Sequence, residues 1–288
     1  MTSVKRKSRV GQTEAPGDDA VGRGKPLAVD SVSCSGICKA YLPRVKHSSP
    51  FVALQDVDLR VGDGEFVTLL GPSGCGKSTL LNIMAGIDQP TRGSVTFSGR
   101  IKRKAYLFQR DTLLPWRTAL RNVEIGLESL NIPRAERREQ ARKWLRLVGL
   151  EGFEHSYPSQ LSGGMRRRVA LATVFAHGPE ILFMDEPFGA VDAQTRLQLQ
   201  GELLSLWEQQ QCTVVFVTHD IEEALLLGDR VVVMASRPGR IIDSFQVDVP
   251  RPRTVESIRF DPSIAKMAQR IWHELSATTA APPSDRRF

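Results

Sequence analysis

Short apolar runs alternate with amphipathic stretches along most of this chain. Phe66-Val67-Thr68-Leu69-Leu70 is almost wholly apolar and predicts a buried strand, and Thr79-Leu80-Leu81-Asn82-Ile83-Met84-Ala85 predicts a helix after it. Val52 to Leu59 alternates in part, as an antiparallel strand does. Between Ser31 and Ser98 the pattern is strand-like apart from a Gly-rich loop and its helix, and Ala105-Tyr106-Leu107-Phe108 adds another short strand. Between Thr118 and Gln160 the period becomes helical. Arg134 to Val148 sets Ala141, Trp144, Leu145 and Val148 on one face with charges opposite. Strands then follow at Ile181–Met184, Thr213–Val217 and Arg230–Met234, separated by helices at Gln194–Gln209 and Ile221–Leu227. This alternation implies a mainly parallel sheet with helices on both faces. Asp261-Pro262 opens a last helix, a cap followed by proline at the first helical position.

Composition narrows the picture moderately. The chain has 288 residues and is 41% hydrophobic, enough for a sizeable core. Its net charge of +7 favours anionic partners such as nucleotides, lipid headgroups or nucleic acid without choosing among them. Part of that charge sits in Lys5-Arg6-Lys7-Ser8-Arg9, within a segment 1–30 that reads as a disordered basic tail; 276–288 reads as a second disordered tail. No run approaches the length of a membrane span, and the basic N-terminus lacks the apolar core of a signal peptide. Cys34, Cys38, Cys75 and Cys212 form no C-x-x-C pair, which fits a reducing compartment. Cys34 and Cys38 lack neighbouring ligands for a metal and read better as buried small residues.

The chemistry is carried by a few segments. Gly71-Pro72-Ser73-Gly74-Cys75-Gly76-Lys77-Ser78-Thr79 fits the phosphate-binding loop G-x-x-x-x-G-K-[ST] at every fixed position. Between a strand and a helix, such a loop aims backbone N–H groups and a helix N-terminus at one small volume. Cys75, near that terminus, is expected to have an acidified thiol open to alkylation. Ile181 to Met184 ends in Asp185-Glu186. At the carboxyl end of a parallel strand, Asp185 would reach a magnesium ion held by Ser78, and Glu186 would address water as a general base. The plainer reading of the pair is an exposed turn. Leu161-Ser162-Gly163-Gly164-Met165 precedes a second apolar helical stretch, with Ser162 as its cap. Arg166, Arg167 and Arg168 then read as a solvated or salt-bridged face.

Together these segments resemble the nucleotide-binding subunit of an ATP-binding cassette (ABC) transporter, over about residues 31–275. The signature motif LSGGQ is present as Leu161–Met165, the Walker A loop as Gly71–Thr79 and the Walker B strand as Ile181–Glu186. The resemblance implies a P-loop α/β core with an antiparallel β subdomain and an inserted helical subdomain at about 116–173. It implies ATP and Mg²⁺ as ligands, with Ser78, Gln109 and Asp185 at the metal. Gln109 matches the Q-loop, His219 the switch histidine beside the γ-phosphate, Asp192 the D-loop, and Tyr41 the aromatic that stacks on adenine. It also implies a head-to-tail homodimer in which Ser162 and Gly164 of one copy meet the ATP held by Lys77 of the other. Hydrolysis would then reset a nucleotide-driven switch. Integral-membrane permease subunits, and through them a substrate-binding protein, are the implied partners, at the cytoplasmic face of the membrane; no nucleic acid is expected.

Met165 replaces the usual signature glutamine, and the interval from Gly99 to Gln109 is shorter than in many relatives. Leu113-Leu114-Pro115-Trp116, Arg237-Pro238-Gly239-Arg240-Ile241 and Val247 to Arg253 resemble the branch serving nitrate, sulfonate and taurine importers; bicarbonate, cyanate or a pyrimidine precursor remain open as solutes. Leu114, Pro115 and Trp116 are apolar in a loop region and form the candidate docking patch for the permease, with a packed loop as the alternative. A soluble ABC-type ATPase of DNA repair would need a long heptad insertion, for which the interval from Gln109 to Leu161 is too short. One serving iron–sulfur assembly is disfavoured by the Leu-Leu-Pro-Trp patch.

Overall fold

The computed structural model describes residues 30–42, 50–110, 112–189, 191–236 and 238–280. Of the two expected tails, 1–29 and 281–288 lie outside those residues, as do Asp111, Ala190 and Arg237. A three-stranded antiparallel sheet, in order β2–β1–β4, is built from β1 (Asp30–Tyr41), β2 (Phe51–Gly62) and β4 (Arg92–Phe97). A six-stranded sheet contains β3 (Phe66–Leu70), β5 (Lys104–Leu107), β6 (Ile181–Asp185), β7 (Thr213–Thr218), β8 (Arg230–Ala235) and β9 (Arg240–Gln246), in the order β5–β6–β7–β3–β8–β9. It is parallel except for β9, which runs antiparallel to β8 at the edge.

The central strands are apolar on both faces because both faces are covered. Phe66, Leu70, Leu182, Met184, Val214, Phe216, Val231 and Val233 point into one apolar cluster with the helices. The intervening Val67, Leu69, Ile181, Phe183, Val215, Val217, Val232 and Met234 enter another, with α1 (Lys77–Ala85) and the antiparallel sheet. The period of two sends successive residues to opposite faces. Each fully buried large apolar side chain contributes about 1.5–3 kcal/mol, so the strands are held by burial on two sides.

Between β5 and β6 the chain makes α2 (Ala119–Glu128), α3 (Arg134–Leu147) and α4 (Gly163–Ala176). Thr118 caps α2 by accepting from the Arg121 N–H. Ala141, Leu145 and Val148 are buried, and Trp144 packs partly buried against the same core, as the helical period predicts. This is the region expected at 116–173; α4 continues to Ala176. Two further helices, α5 (Ala193–Gln210) and α6 (Ile221–Leu227), alternate with β6, β7 and β8, and α7 (Val255–Arg259) and α8 (Pro262–Ala280) end the described chain. Helix α8 runs past residue 275, into the segment expected to be a tail. Among the described residues no helix is long and apolar enough to cross a membrane.

The segment Val247–Arg253 is an anchor. Arg251 pairs with Asp229 at 2.7 Å and lies 4.3 Å above the Trp207 ring, while the buried Arg253 donates to the carbonyls of Val249, Gly228 and Val247. Burial, with the Arg251 charge beside it, pushes the Arg253 guanidinium down to about 10.

Glu223 on α6 is 6% exposed and accepts a 2.8 Å hydrogen bond from the Gln200 amide. Burial raises its carboxyl above the ordinary range, and Asp220 adds to that; Thr218, Gln200 and Arg196 oppose it. As pH rises between the ordinary and the raised value, the folded chain holds a proton that the unfolded chain has lost, so stability falls through that window. Glu223→Gln, which stays neutral, is expected to melt a few degrees above the parent at about pH 8 and to converge with it as the pH falls into the carboxylate range. Thermal denaturation followed by circular dichroism across pH tests this; a difference independent of pH would refute it.

Candidate functional site

The carboxyl ends of β3, β5, β6 and β7 lie along one edge of the six-stranded sheet. Leu70 is level with Thr218, Asp185 with Val217, and Leu107 with Met184. Residues just past those ends therefore converge, although they come from four distant parts of the chain.

From β3 the chain enters the loop Gly71–Gly76 and turns into α1. Gly76 caps the helix at φ 94°, and a Cβ there would lie 2.7 Å from Leu54 and 2.9 Å from the Ala53 carbonyl. Glycine is required both by that dihedral and by that contact. The Lys77 ammonium folds back over the loop, donating to the Gly71 carbonyl at 2.7 Å and the Pro72 carbonyl at 3.1 Å, and stands 3.9 Å from a Glu186 oxygen. At 4% exposure it is a buried cation with one carboxylate close by.

Ser78 donates through Oγ to Asp185 Oδ1 at 2.8 Å. Burial raises the Asp185 carboxyl, and the neighbouring Glu186 charge raises it further; Ser78, Lys77 and the Tyr106 hydroxyl act in the opposite sense. Tyr106 also donates to Asn82 Oδ1 at 2.8 Å, and its phenol is pushed up by burial and by Asp185. Glu186 takes a left-handed φ of 40°, which costs a non-glycine residue on the order of 1–3 kcal/mol. Two backbone bonds hold it there, from its N–H to the Val217 carbonyl and from the Gly189 N–H to its own carbonyl. One carboxylate oxygen of Glu186 then lies 3.4 Å from both Gln109 Nε2 and His219 Nδ1.

Beside this cluster opens a cleft of about 420 Å³, lined among others by Tyr41, Phe51, Ser73, Lys77, Thr79 and Glu186. Tyr41 is half-exposed at its mouth. Its hydroxyl donates to Asp88, and Lys39, itself 2.6 Å from Asp88, stands 5.0 Å from its ring centroid. Two aromatic rings, a buried ammonium and a loop of bare N–H groups suit a base at one end and phosphates at the other. Ser78 and Asp185 offer paired oxygen donors, the type a magnesium ion prefers, and a buried carboxylate with a raised pKa gains from such a cation. Among the described residues no cluster of three or more His, Cys, Asp or Glu could hold a metal unaided. The ion would thus complete its shell with phosphate oxygens and water. The donor set fits Mg²⁺.

Cys75 corrects an expectation. It is fully buried, and desolvation raises its thiol above the ordinary value, outweighing the Lys77 charge and the backbone N–H groups that lower it. The thiol still meets the helix end through the Lys77 N–H, but it lies within an apolar cluster where its desolvation prevails, and an alkylating reagent has no approach to it. Cys34 is likewise buried, with its thiol pushed up to about 12, while Cys38 is half-buried.

The segment Leu161–Met165 does not line the cleft. Ser162 caps α4, its Oγ accepting from the Met165 N–H at 3.2 Å. Gly164 approaches Thr195 so closely that a Cβ would lie 2.8 Å from Thr195 Cγ2. Thr195 in turn donates through its N–H and hydroxyl to Asp192, the cap of α5, so Asp192 and the signature loop adjoin. Met165 packs partly buried against the helical core.

The arginine run also departs from expectation. Arg168 pairs with Glu202 at 2.6 Å, as a salt-bridged face would, but Arg167 is 4% exposed. It donates to the carbonyls of Phe108 and Gln109, each at 2.9 Å, and to that of Pro187. Nothing in the charge pattern separates Arg167 from its neighbours. Phe51, Tyr106 and Asn122 were also missed. Asn122 is buried in α2 and brackets the loop before it, accepting from the Leu114 N–H and donating to the carbonyls of Leu114, Arg117 and Thr118. Leu114 is consequently half-buried, while Pro115 and Trp116 are exposed, Trp116 at 71%. Beside Trp116 a cleft of about 260 Å³ is lined by Arg121, Arg134, Arg138, His155 and Tyr157.

Comparison with known proteins agrees with this arrangement. Residues 54–189 match the ABC transporter family model. An uncharacterized ABC transporter ATP-binding protein of Methanocaldococcus jannaschii is 53% identical over 213 residues, 72% of this chain and 80% of that protein. The aliphatic sulfonates import ATP-binding protein SsuB of Bacillus cereus is 40% identical, over 84% of this chain and 96% of its own length. The nitrate import ATP-binding protein NrtD of Synechococcus elongatus is 43% identical, over 76% and 82%. Among solved structures, a dimeric ATP-binding cassette in a post-hydrolysis state bound to ADP and Pi superposes with a TM-score of 0.66 at 33% identity, covering 76% of this chain and all of that one. The chain belongs to the ABC transporter ATP-binding proteins and is an ATPase of that family.

Proposed function

We propose that two copies of this chain hold two ATP molecules at their seam and use hydrolysis to drive import of a small anion through membrane-embedded permease subunits. The observation that carries this reading is the convergence of Lys77, Ser78, Gln109 and Glu186 on one cleft that the signature loop does not line, with Asp185 bonded to Ser78 and His219 beside Glu186. A site that lacks its signature contacts within one copy is completed by a second copy turned head to tail. Ser162, Gly163 and Gly164 then supply the bare N-terminus of α4 to the partner's γ-phosphate.

Within each half, the residues divide the chemistry. Lys77 and the loop N–H groups neutralise the phosphates, and Tyr41, with Phe51 near it, stacks on the base. Ser78, Asp185 and Gln109 hold Mg²⁺, which supplies charge stabilisation on the phosphate oxygens. Glu186 accepts the proton of the attacking water, and His219 steadies the γ-phosphate side of the same carboxylate. Asp192 lies at the seam.

The similarity to sulfonate and nitrate import proteins supports an anionic solute, and the sulfonate type covers the greater share of this chain. Exposed Pro115 and Trp116, beside the basic and aromatic cleft of Arg121, Arg134, Arg138 and Tyr157, support docking of the permease there. A substrate-binding protein would act through that permease, and the chain would sit peripherally on the cytoplasmic face of the membrane. The same exposed tryptophan weighs against a soluble ATPase of DNA repair or iron–sulfur assembly.

Glu186→Gln is expected to keep ATP affinity, to lose roughly 10²–10⁴-fold in turnover, and to accumulate as an ATP-bound dimer on gel filtration. Rapid turnover, or a monomer under saturating Mg-ATP, would overturn the assignment. Trp116→Glu is expected to leave ATPase activity of the isolated subunit within about twofold while abolishing co-purification with its permease, since buried aromatic anchors dominate interfaces. Unchanged co-purification would remove Trp116 from the docking surface.

A further inference from the structure

We infer that Arg167 is a positioning residue that couples the signature helix to the catalytic pair Gln109 and Glu186 of the same copy. The inference rests on the roles given above to those two residues.

Arg167 lies in the helix that Ser162 caps, so its guanidinium moves with the signature loop. Its head is buried and reaches two other segments at once. Nη1 and Nη2 donate to the carbonyls of Phe108 and Gln109 at 2.9 Å, just beyond β5, and Nε donates to that of Pro187, directly after Glu186. A guanidinium carries five N–H donors in a rigid planar fork, and three of its nitrogens are engaged here with three backbone oxygens. An ammonium at the end of a lysine is a single point and cannot span all three.

The consequence lies at Gln109 itself and at Glu186, the residue before Pro187. The Gln109 side chain and the Glu186 carboxylate approach to 3.4 Å, and a Cβ at Gly189 would lie 3.9 Å from both of them. Fixing the Gln109 carbonyl and the Pro187 carbonyl to one rigid group sets the spacing of the two side chains that meet between them. A shift of α4, such as engagement of Ser162 and Gly164 by nucleotide would cause, is transmitted through Arg167 to that spacing. Loss of the fork leaves ATP contacts at Lys77 and Ser78 intact, because none of them passes through Arg167.

The test compares Arg167→Lys and Arg167→Ala, each alone and in a Gln109→Ala background, with steady-state ATPase kinetics, nucleotide binding by a fluorescent ATP analogue and thermal denaturation. Arg167→Lys is expected to lower kcat roughly 10–100-fold with KM for ATP and analogue affinity nearly unchanged, the signature of misplaced groups. In the Gln109→Ala background the same substitution should cost less than about twofold, because its route of action is already gone. Should Arg167→Ala fail to fold, Arg167→Lys carries the comparison, since it retains a cation and its long stem. A parental kcat in Arg167→Lys refutes the coupling, as does a loss equally large in both backgrounds. Parental activity of Gln109→Ala alone would refute the role of Gln109 and the coupling with it, whereas an impaired Gln109→Ala with additive losses refutes the coupling alone.

Discussion

The site depends on one geometric constraint: parallel strands in register end together. Gly71, Gln109, Glu186 and His219 are scattered along the chain, and no local interaction would bring them into one cleft. Hydrogen-bonded register does so. Once Phe66–Leu70, Lys104–Leu107, Ile181–Asp185 and Thr213–Thr218 are paired in parallel, their carboxyl ends share an edge, and the residues one or two beyond each end come together there. Slipping any one strand by a residue would exchange its two buried faces, so the apolar clusters above and below the sheet enforce that register.

Electrostatics then determines the character of the cleft. Burying Lys77 is tolerable because two loop carbonyls accept its protons and Glu186 stands 3.9 Å away. Asp185 is held by Ser78 and raised by its own burial. Each group is thus partly satisfied by the protein, and each would gain from what a Mg-nucleotide brings: phosphate oxygens for the ammonium, a cation for the carboxylate. The strained φ of Glu186 belongs to the same design. It turns the chain sharply just past β6, so that successive carboxylates face different partners, Asp185 toward Ser78 and Glu186 toward Gln109 and His219.

Much of this was legible in the residues. Short continuous apolar runs marked β3, β6, β7 and β8, and the helical period of Arg134–Val148 matched α3 with its inward Ala141 and Leu145. The phosphate loop and the Asp185-Glu186 pair were visible because their chemistry demands fixed residue types at fixed spacing. What stayed hidden depends on tertiary contact. Cys75 sits beside a helix N-terminus, yet whether its thiol faces solvent or the core depends on how Gly71, β8 and the antiparallel sheet close behind it. Arg167 looks like one charge in a run of three until β5 and β6 deliver carbonyls to it. Phe51 opens a strand unremarkably and becomes a cleft wall only because β1 pairs with β2.

Gly239 demonstrates how far such closure extends. In sequence it belongs to a Pro-Gly turn, but its N–H donates to the Ala53 carbonyl and its own carbonyl accepts from the Gln55 N–H. A Cβ at this position would lie 2.1 Å from the Cys75 carbonyl, within the phosphate loop itself. The loop is therefore braced by β2 on one side and by the turn before β9 on another, and β9 is fixed to β8 along its whole length. The antiparallel sheet and the edge strand, which line little of the chemistry, restrict where the loop's N–H groups point. A loop preorganised in this way has less ordering cost to meet when phosphates arrive, and the close packing that holds it leaves no room for a Cβ at Gly71, Gly76 or Gly239.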